Sequence, residues 1–258
     1  MLLKDWNAKF MDSKKVKVGS VSYLNAKPLI YGFEKGMMKA DIELVTDYPS
    51  AIASQLIEDK IDIGLVPIAV IPLLKEYYIV SDYCIGSDGE VASVCLFSDV
   101  PIEEIKTVLL DYQSRTSVAL LKILLREHWK IDPVLVSSAA GYEHDIKGST
   151  AGLVIGDRAL EQRKRSEYKY DLGLAWKEMT GLPFVFAAWV SNKKLPVGFC
   201  TAFNEANKAG LDQLKMVVAE NPYDLFDLEQ YYTDFIKFRL DLKMREAIAL
   251  FLKKLNDN

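Results

Sequence analysis

The amino-acid sequence predicts a two-lobed α/β protein with a ligand cleft between the lobes and a helical C-terminal tail. Three observations support this fold class. Strand, loop and helix patterns alternate over the first third of the chain, a second series of the same kind starts near Thr107, and no flexible linker separates the two series. Alternating strands and helices favour parallel sheets covered by helices. Two such series without a linker favour lobes joined by short crossovers.

The first series contains three predicted strands, at 16–21, 42–46 and 61–66. The third of these is apolar almost throughout, which is typical of a strand covered on both faces of a parallel sheet. Pro28 and Pro49 mark the beginnings of two helices, because proline is favoured in the first helical turn. These helices are predicted over 29–34 and 49–58.

The second series follows two strands, predicted at 78–83 and 91–97, which flank a turn-rich segment at 86–89. It begins with a strand at 107–111 and a helix after 114–117, and it continues with strands at 134–136, 152–155 and 184–190. From residue 202 onward the pattern is helical, with amphipathic stretches at 211–218 and 244–255. This tail is expected to return to the first lobe.

The order of these elements predicts a discontinuous first lobe. It comprises 16–98 together with 195–258, and the second lobe comprises 99–194. Residues 1–15 are expected to be a poorly ordered N-terminal extension.

Composition excludes several classes of function. The net charge is -4, whereas nucleic acids and anionic membranes favour a basic face, so neither is an expected partner. The three cysteines contain no CxxC pair and indicate neither a disulfide framework nor a zinc site. No run of about 18 apolar residues occurs, and the N-terminus lacks the apolar core of a signal peptide. We therefore expect a cytoplasmic protein.

Three loops are candidate ligand sites, at 22–27, 86–89 and 112–117. Ligands of such folds bind beyond the carboxyl ends of parallel strands, near helix N-termini. The first loop combines hydroxyl, phenol, amide and ammonium groups directly after a strand. Asn25 is its most informative residue, because a neutral amide both donates to and accepts from a hydroxyl or a carboxylate.

Helix capping is the alternative explanation for the same residues. Ser22 or Asn25 would cap the helix that contains Pro28, and the hydroxyls of 114–117 would cap the helix that follows them. Asp157 would likewise cap a helix after a strand. At 114–117 the two roles are compatible, because free N–H groups at a helix N-terminus also attract a carboxylate.

The sequence gives little support to metal, nucleotide or serine-hydrolase chemistry. No HExxH, P-loop, GxGxxG or GxSxG pattern occurs. His128 lies at the apolar spacing of a helix and is interpreted as a packing or helix-dipole partner. His144 lies in a loop or at a helix start, where exposure is the favoured interpretation and a general base the alternative. We expect no cofactor and no metal.

Five segments together resemble a known family. They are Val18-Gly19-Ser20-Val21-Ser22-Tyr23-Leu24-Asn25-Ala26-Lys27-Pro28-Leu29, Gly64-Leu65-Val66-Pro67, Gly89-Glu90-Val91-Ala92-Ser93-Val94, Ser114-Arg115-Thr116-Ser117 and Gly156-Asp157-Arg158-Ala159-Leu160. They are similar to the chorismate dehydratase family of the futalosine menaquinone pathway, in order, over roughly 15–255. The resemblance implies a type II periplasmic-binding-protein-like fold used in the cytoplasm as an enzyme. It also implies cofactor-free loss of water from chorismate, giving 3-[(1-carboxyvinyl)oxy]benzoate.

The resemblance suggests a role for each candidate. Asn25 is the expected catalytic residue, which orients the departing hydroxyl or the ring, and Thr116 with Ser117 would bind a carboxylate. The proton acceptor is unassigned, and a carboxylate of the substrate itself is one option. The expected substrate-binding residues are Ser22, Tyr23, Pro67, Ser87, Gly89, Ser93, Ser114, Arg115, Thr116, Ser117 and Asp157.

Two other functions are compatible with the same fold. One is 1,4-dihydroxy-6-naphthoate synthase of the same pathway, which in that family relies on a histidine base. The other is a non-catalytic solute-binding protein, since fold alone does not give function. The expected partner is a small-molecule dicarboxylate, chorismate. The protein is expected to be a monomer or a homodimer.

Overall fold

A computed structural model describes residues 15–257 and contains two mixed β-sheets. The first sheet has six strands: β1 (Val16–Val21), β2 (Ile42–Asp47), β3 (Ile63–Pro67), β4 (Tyr78–Ser87), β10 (Phe184–Ser191) and β11 (Lys237–Arg239). Their order is β11-β4-β10-β3-β1-β2. Strand β1 pairs in parallel with both β2 and β3, which confirms the parallel arrangement predicted for the first series. Strand β10 runs antiparallel between β3 and β4.

The second sheet has five strands: β5 (Val94–Ser98), β6 (Thr107–Leu110), β7 (Val134–Ser137), β8 (Thr150–Ile155) and β9 (Tyr168–Asp171). Their order is β7-β6-β8-β5-β9. Strand β6 is parallel to β7 and β8, whereas β5 is antiparallel to β8 and β9. The molecule is therefore the two-lobed α/β protein that the sequence predicts.

The chain passes from one sheet to the other earlier in the sequence than the expected lobe boundaries at 98/99 and 194/195. Strand β5 belongs to the second sheet and β10 to the first. The chain thus leaves the first sheet after β4 and has rejoined it by the start of β10. Local patterning shows where a strand lies but not which sheet it joins. Of the expected extension at 1–15, only Lys15 lies within the described residues.

Nine helices surround the sheets within residues 15–257: α1 (Lys27–Glu34), α2 (Pro49–Ile57), α3 (Thr116–Leu124), α4 (Asp157–Gln162), α5 (Leu172–Thr180), α6 (Val197–Asp212), α7 (Leu214–Glu220), α8 (Leu228–Gln230) and α9 (Leu242–Asn256). Pro28 and Pro49 lie in the first turns of α1 and α2, as predicted. A π-helical turn, Leu125–Trp129, follows α3, and another, Tyr231–Phe235, follows α8.

The C-terminal tail returns to the first lobe through contact between α6 and α1. The two helices approach so closely that only glycine fits at two positions. A Cβ atom on Gly210 would lie 1.9 Å from the Pro28 carbonyl oxygen, and one on Gly32 would lie 2.2 Å from the Ala206 carbonyl oxygen. The tail therefore fixes the helix that directly follows loop 22–27.

The tail is helical with one exception that the sequence analysis missed. Strand β11 pairs antiparallel with β4 at the edge of the first sheet. Phe238 is buried there between the exposed Lys237 and Arg239. Alternation over three residues is too short to be distinguished from a helical pattern.

Strand β4 also continues further than its predicted end at residue 83. Gly86 pairs with both Val185 and Lys237, so it belongs to the sheet rather than to a turn. A Cβ atom at Gly86 would lie 2.6 Å from the Phe184 carbonyl oxygen. Glycine is needed here for close packing, and the expected turn at 86–89 begins only after Ser87.

Two tryptophans anchor the core. Trp176 and Trp189 are fully buried. The Trp176 indole N–H donates to the Pro183 carbonyl and that of Trp189 donates to Asn207 Oδ1, so both polar atoms are satisfied. Among the described helices, none is long and apolar enough to cross a membrane.

Candidate functional site

A solvent-open cavity lies between the two sheets. It opens beyond the carboxyl ends of strands from both sheets, as the general rule for such folds predicts. The first lobe contributes Val21, Tyr23, Asn25, Pro49, Pro67, Ile85, Phe186 and Ala187, and the second contributes Val94, Ser114, Thr116, Ser117, Ile155 and Gly156. Six residues expected at the site are among them: Tyr23, Asn25, Pro67, Ser114, Thr116 and Ser117.

The lining carries no charged side chain, yet it favours an anion. Three lining positions lie at the N-terminal ends of helices: Asn25 just before α1, Pro49 at the start of α2 and Thr116 at the start of α3. The N-terminus of a helix carries the positive end of the helix dipole. The cavity is therefore suited to a ligand that carries carboxylates.

Asn25 presents an unsatisfied acceptor at the cavity. Asn25 is the middle residue of the short 3₁₀ turn Leu24–Ala26 between β1 and α1. The Oδ1 atom of Asn25 is buried and has no hydrogen-bond partner among the described residues. Leaving a buried polar atom unpaired costs about 1–3 kcal/mol. A ligand hydroxyl or other donor in the cavity would remove that cost.

Tyr231 and Ser93 support Asn25 from outside the cavity lining. Tyr231 is 1% exposed and Ser93 is fully buried. The Tyr231 hydroxyl donates to Ser93 Oγ at 2.7 Å, and the Asn25 amide lies beside the same Tyr231 oxygen. Burial raises the pKa of Tyr231, so its phenol stays neutral. Sequence analysis did not single out Tyr231, which lies in the helical tail.

The hydroxyl-rich start of α3 forms the wall contributed by the second lobe. The Ser114 Oγ accepts a hydrogen bond from the Ser117 N–H at 3.1 Å, so Ser114 stabilises the start of the helix and also lines the cavity. The Thr116 Oγ1 accepts from the Ala69 N–H at 3.1 Å. Since a hydroxyl both donates and accepts, the Thr116 proton stays free to donate to a ligand.

Contacts between the lobes close the cavity beside Tyr23. The Tyr23 hydroxyl donates to Gln113 Oε1, and the Leu24 N–H donates to Asp157 Oδ1 at 3.1 Å. The Tyr23 ring lies so close to Gly156 that a Cβ atom there would be 2.9 Å from it. Burial raises the pKa of Asp157 to about 6, and the Leu24 N–H opposes that rise in pKa.

An ion cluster in the second lobe supports the loop that holds Gln113. The Arg158 guanidinium contacts Asp111 at 2.7 Å and Glu143 at 2.6 Å. Asp111 is buried and also accepts from the Tyr142 hydroxyl at 2.9 Å and from the Ile155 N–H at 3.1 Å. Every charge in the cluster is paired, as a buried ion cluster requires.

Several expected site residues do not line the cavity. Ser22 is exposed. Ser87 is fully buried, and its Oγ has no partner among the described residues. Gly89 has a φ of 120° in the crossover to the second sheet. A Cβ atom on Gly173 would meet Ser87 Oγ at 2.5 Å and the Gly89 carbonyl at 2.6 Å, so α5 packs on this segment.

Three more expected residues lie around the cavity rather than in its lining. Ser93 contacts Tyr231, as described above. Arg115 donates to Ser54 Oγ at 3.1 Å, a contact between the second lobe and α2 of the first. Asp157 begins α4 and accepts from the Leu24 N–H. Their direct contact with a ligand stays a prediction.

Neither histidine lies in the cavity lining. His128 is 3.4 Å from Glu178, and His144 is exposed in the short turn Tyr142–Asp145. Within the described residues, no group of three or more His, Cys, Asp or Glu side chains is placed to hold a metal ion.

Two α/β lobes with a cavity between them are typical of periplasmic-binding-protein-like folds, and solved structures agree. A protein from Archaeoglobus fulgidus has a TM-score of 0.77 at 14% identity, covering 94% of this chain and 97% of its own. A Candida albicans protein described as having the generic periplasmic binding protein fold has a TM-score of 0.57 at 12% identity, covering 95% and 96%. The alkanesulfonate-binding protein of Xanthomonas axonopodis has a TM-score of 0.60 at 11% identity, covering 94% and 93%.

Sequence comparison is more specific than the fold. A family model described as menaquinone biosynthesis matches residues 16–257, so the chain belongs to that family. It is 32% identical to chorismate dehydratase of Thermus thermophilus over 155 residues, which cover 53% of this chain and 56% of that protein. It is 26% identical to chorismate dehydratase of Campylobacter jejuni over 243 residues, which cover 91% and 95%. These matches confirm the resemblance found in the sequence.

Proposed function

We propose that this protein is a chorismate dehydratase that converts chorismate to 3-[(1-carboxyvinyl)oxy]benzoate and water, in the cytoplasm, for menaquinone biosynthesis by the futalosine route. The observation that carries the proposal is the buried, unpaired Oδ1 of Asn25 in a cavity without charged side chains. An acceptor of this kind requires a donor from the ligand, and the ring hydroxyl of chorismate supplies one. Membership of the menaquinone biosynthesis family supports the same conclusion.

The polar groups of the cavity can pair with the polar groups of chorismate. Chorismate carries two carboxylates and one hydroxyl around a six-membered ring. Asn25 would accept a hydrogen bond from the ring hydroxyl, while the Thr116 and Ser117 hydroxyls and the positive end of the α3 dipole would hold a carboxylate. The apolar side chains of Ile85 and Phe186 would cover the ring.

The reaction needs a proton acceptor and a site for the leaving hydroxyl. A proton leaves the ring carbon that bears the ether, hydroxide leaves the neighbouring carbon, and the ring becomes aromatic. Burial raises the pKa of Tyr23, and no lining residue is an Asp, Glu, His or Lys. We therefore assign the proton to a carboxylate of the substrate itself, with Asn25 orienting the hydroxyl.

Closure of the lobes would supply the remaining rate enhancement. Contacts from Tyr23 to Gln113 and from Leu24 to Asp157 bring the two walls together. A closed, drier cavity strengthens each hydrogen bond to the substrate and holds the reacting groups in one geometry. Fixed dipoles of this kind stabilise developing charge without reorganising during the reaction.

The two alternative functions, naphthoate synthase and solute-binding protein, differ from the dehydratase in what they require of the site and of the ligand. The naphthoate synthase requires a histidine base, and neither His128 nor His144 lines the cavity. A solute-binding protein would hold its ligand unchanged. Incubation of the protein with chorismate, and separately with the cyclic futalosine derivative, distinguishes all three functions.

The decisive test is to mix the purified protein with chorismate alone and to follow the product by mass spectrometry. Loss of one water, without added cofactor, is the expected result. The matched control is Asn25→Ala, which removes the unpaired acceptor and should abolish most of the conversion. A correctly folded wild-type protein that leaves chorismate unchanged would refute the proposal.

A further inference from the structure

We propose that Gln113 is a positioning residue, which holds Tyr23 in the cavity wall and thereby makes the geometry of the site depend on closure of the lobes. Gln113 is not itself part of the cavity lining. It acts through Tyr23, whose ring forms the wall two residues before Asn25. The kinetic part of this inference rests on the proposed function, whereas its structural part does not.

Within its own lobe, Gln113 is fixed on several sides. Its backbone N–H donates to Asp111 Oδ1 at 2.9 Å. Its side-chain Nε2 donates to the Tyr112 hydroxyl at 3.0 Å, and its Oε1 accepts from Arg158 Nη2 at 2.9 Å. The residue therefore has one orientation, set by the ion cluster beneath it.

The orientation of the Gln113 amide is determined by chemistry. A guanidinium group only donates hydrogen bonds, so the amide atom that faces Arg158 must be the oxygen. Arg158 is in turn fixed by Asp111 and Glu143. The same Oε1 meets the Tyr23 hydroxyl, which must then act as the donor. The acceptor for the Tyr23 phenol is thus Gln113 Oε1, which Arg158 holds in a fixed position.

Gln113 also contacts the first lobe through its backbone. Its carbonyl oxygen accepts from the Ser50 N–H at 3.2 Å, at the start of α2. Tyr23 precedes α1, and Ser50 lies in the first turn of α2, so they belong to two different parts of the first lobe. One residue of the second lobe therefore contacts both sides of the opposite wall, and these contacts exist only when the lobes are together.

The consequence concerns Asn25. Removing the acceptor for Tyr23 would leave its ring held by packing against Gly156 and the core, without its hydrogen bond to Gln113. The neighbouring Leu24 N–H, which donates to Asp157, would then be released more often. Because Asn25 lies on the same short turn, its acceptor would lose its fixed position towards a ligand.

The test uses the full-length variants Gln113→Ala and Tyr23→Phe. Hydrogen exchange of the Leu24 and Ser50 amides reports the contacts between the lobes directly. We expect exchange at both amides to become about tenfold faster in each variant, with the rest of the first lobe unchanged. Gln162→Ala is the matched control, because Gln162 is a buried glutamine of the second lobe whose side chain donates to Ser166 Oγ, four residues further along the chain.

The kinetic readout separates positioning from stability. We expect kcat/KM for chorismate to fall about tenfold in Gln113→Ala, and the double variant with Tyr23→Phe to lose no more than either single variant. Unchanged exchange at Leu24 and Ser50 in both variants, or additive kinetic losses, would overturn the inference. If the wild type does not dehydrate chorismate, the proposed function fails, and the exchange experiment still tests the role of Gln113.

Discussion

The Tyr231 hydroxyl donates to Ser93 Oγ at 2.7 Å, and the Asn25 amide reaches the same phenol oxygen. Three distant parts of the chain thus meet behind the cavity. Because the donor side of the Asn25 amide faces Tyr231, its acceptor oxygen is left for a ligand. The C-terminal tail therefore contributes to the chemistry of a loop near the N-terminus.

Replacing Tyr231 by Phe should lower turnover of chorismate about tenfold, mainly through kcat. The ring would still fill its buried site, but the Asn25 amide would lose the partner that orients it. Steady-state kinetics measures the effect. Tyr78→Phe is the control, because that hydroxyl donates to Glu76 and not to the turn that carries Asn25. In the Asn25→Ala background, Tyr231→Phe should have no further effect on kcat, and an equal additional loss would argue against this coupling.

Asn25→Ala should separate activity from stability. Loss of a polar group that acts on the reacting hydroxyl lowers kcat by about 10²–10³. The free energy of unfolding should change by less than about 1 kcal/mol, because the substitution also removes a buried unpaired oxygen. Chemical denaturation alongside the chorismate assay tests both statements. A large loss of stability would show that Asn25 is a structural residue.

Asp157→Asn should stabilise the protein at neutral pH. The folded pKa of Asp157 is raised to about 6 from its ordinary value of 3.8, mainly by burial. The native state therefore binds more protons than the unfolded state between these values, so stability falls as pH rises through this window. The variant lacks this penalty but keeps an oxygen that accepts from the Leu24 N–H.

The expected difference in the free energy of unfolding is roughly 1–3 kcal/mol in favour of the variant at pH 8, and close to zero near pH 3.5. Urea denaturation of both proteins across this range gives the comparison. A gap of the same size at both pH values would mean that the carboxylate of Asp157 is not responsible.

Gly210→Ala should destabilise the first lobe by at least about 2 kcal/mol, because the new methyl group would meet the Pro28 carbonyl at 1.9 Å. Thermal unfolding measures the loss. Gly36→Ala is the contrasting variant. Its methyl group meets nothing within 4 Å, and its φ of 89° costs only about 1 kcal/mol. Equal losses in both variants would contradict the close helix contact.

The parts of the fold that were predictable are those with strong local patterns. The parallel strands β1 to β3 alternate or are continuously apolar, and prolines mark the starts of α1 and α2. Loop 22–27 stood out because its polar groups directly follow a strand. Asn25 and Thr116 both line the cavity, since strand ends of the two lobes face each other there.

The remaining site residues depend on contacts between segments far apart in sequence. Ser93 and Tyr231 are 138 positions apart, and nothing local distinguishes Tyr231 from other aromatic residues of an apolar helix. Ser87 was expected in a turn, but it is the last residue of β4, because the strand continues through Gly86, where only a residue without a side chain fits beside Phe184. Such placements follow from packing and not from local propensity.

Any attraction of the cavity for anions arises from the helix dipoles at the starts of α1, α2 and α3, because the lining contains no lysine or arginine. Backbone dipoles do not titrate, so this attraction is constant across the pH range in which the protein stays folded. No single side-chain replacement can delete it either, because it belongs to the main chain. Sequences that keep these helix starts would thus inherit an anion-binding cavity, whatever reaction the side chains then catalyse.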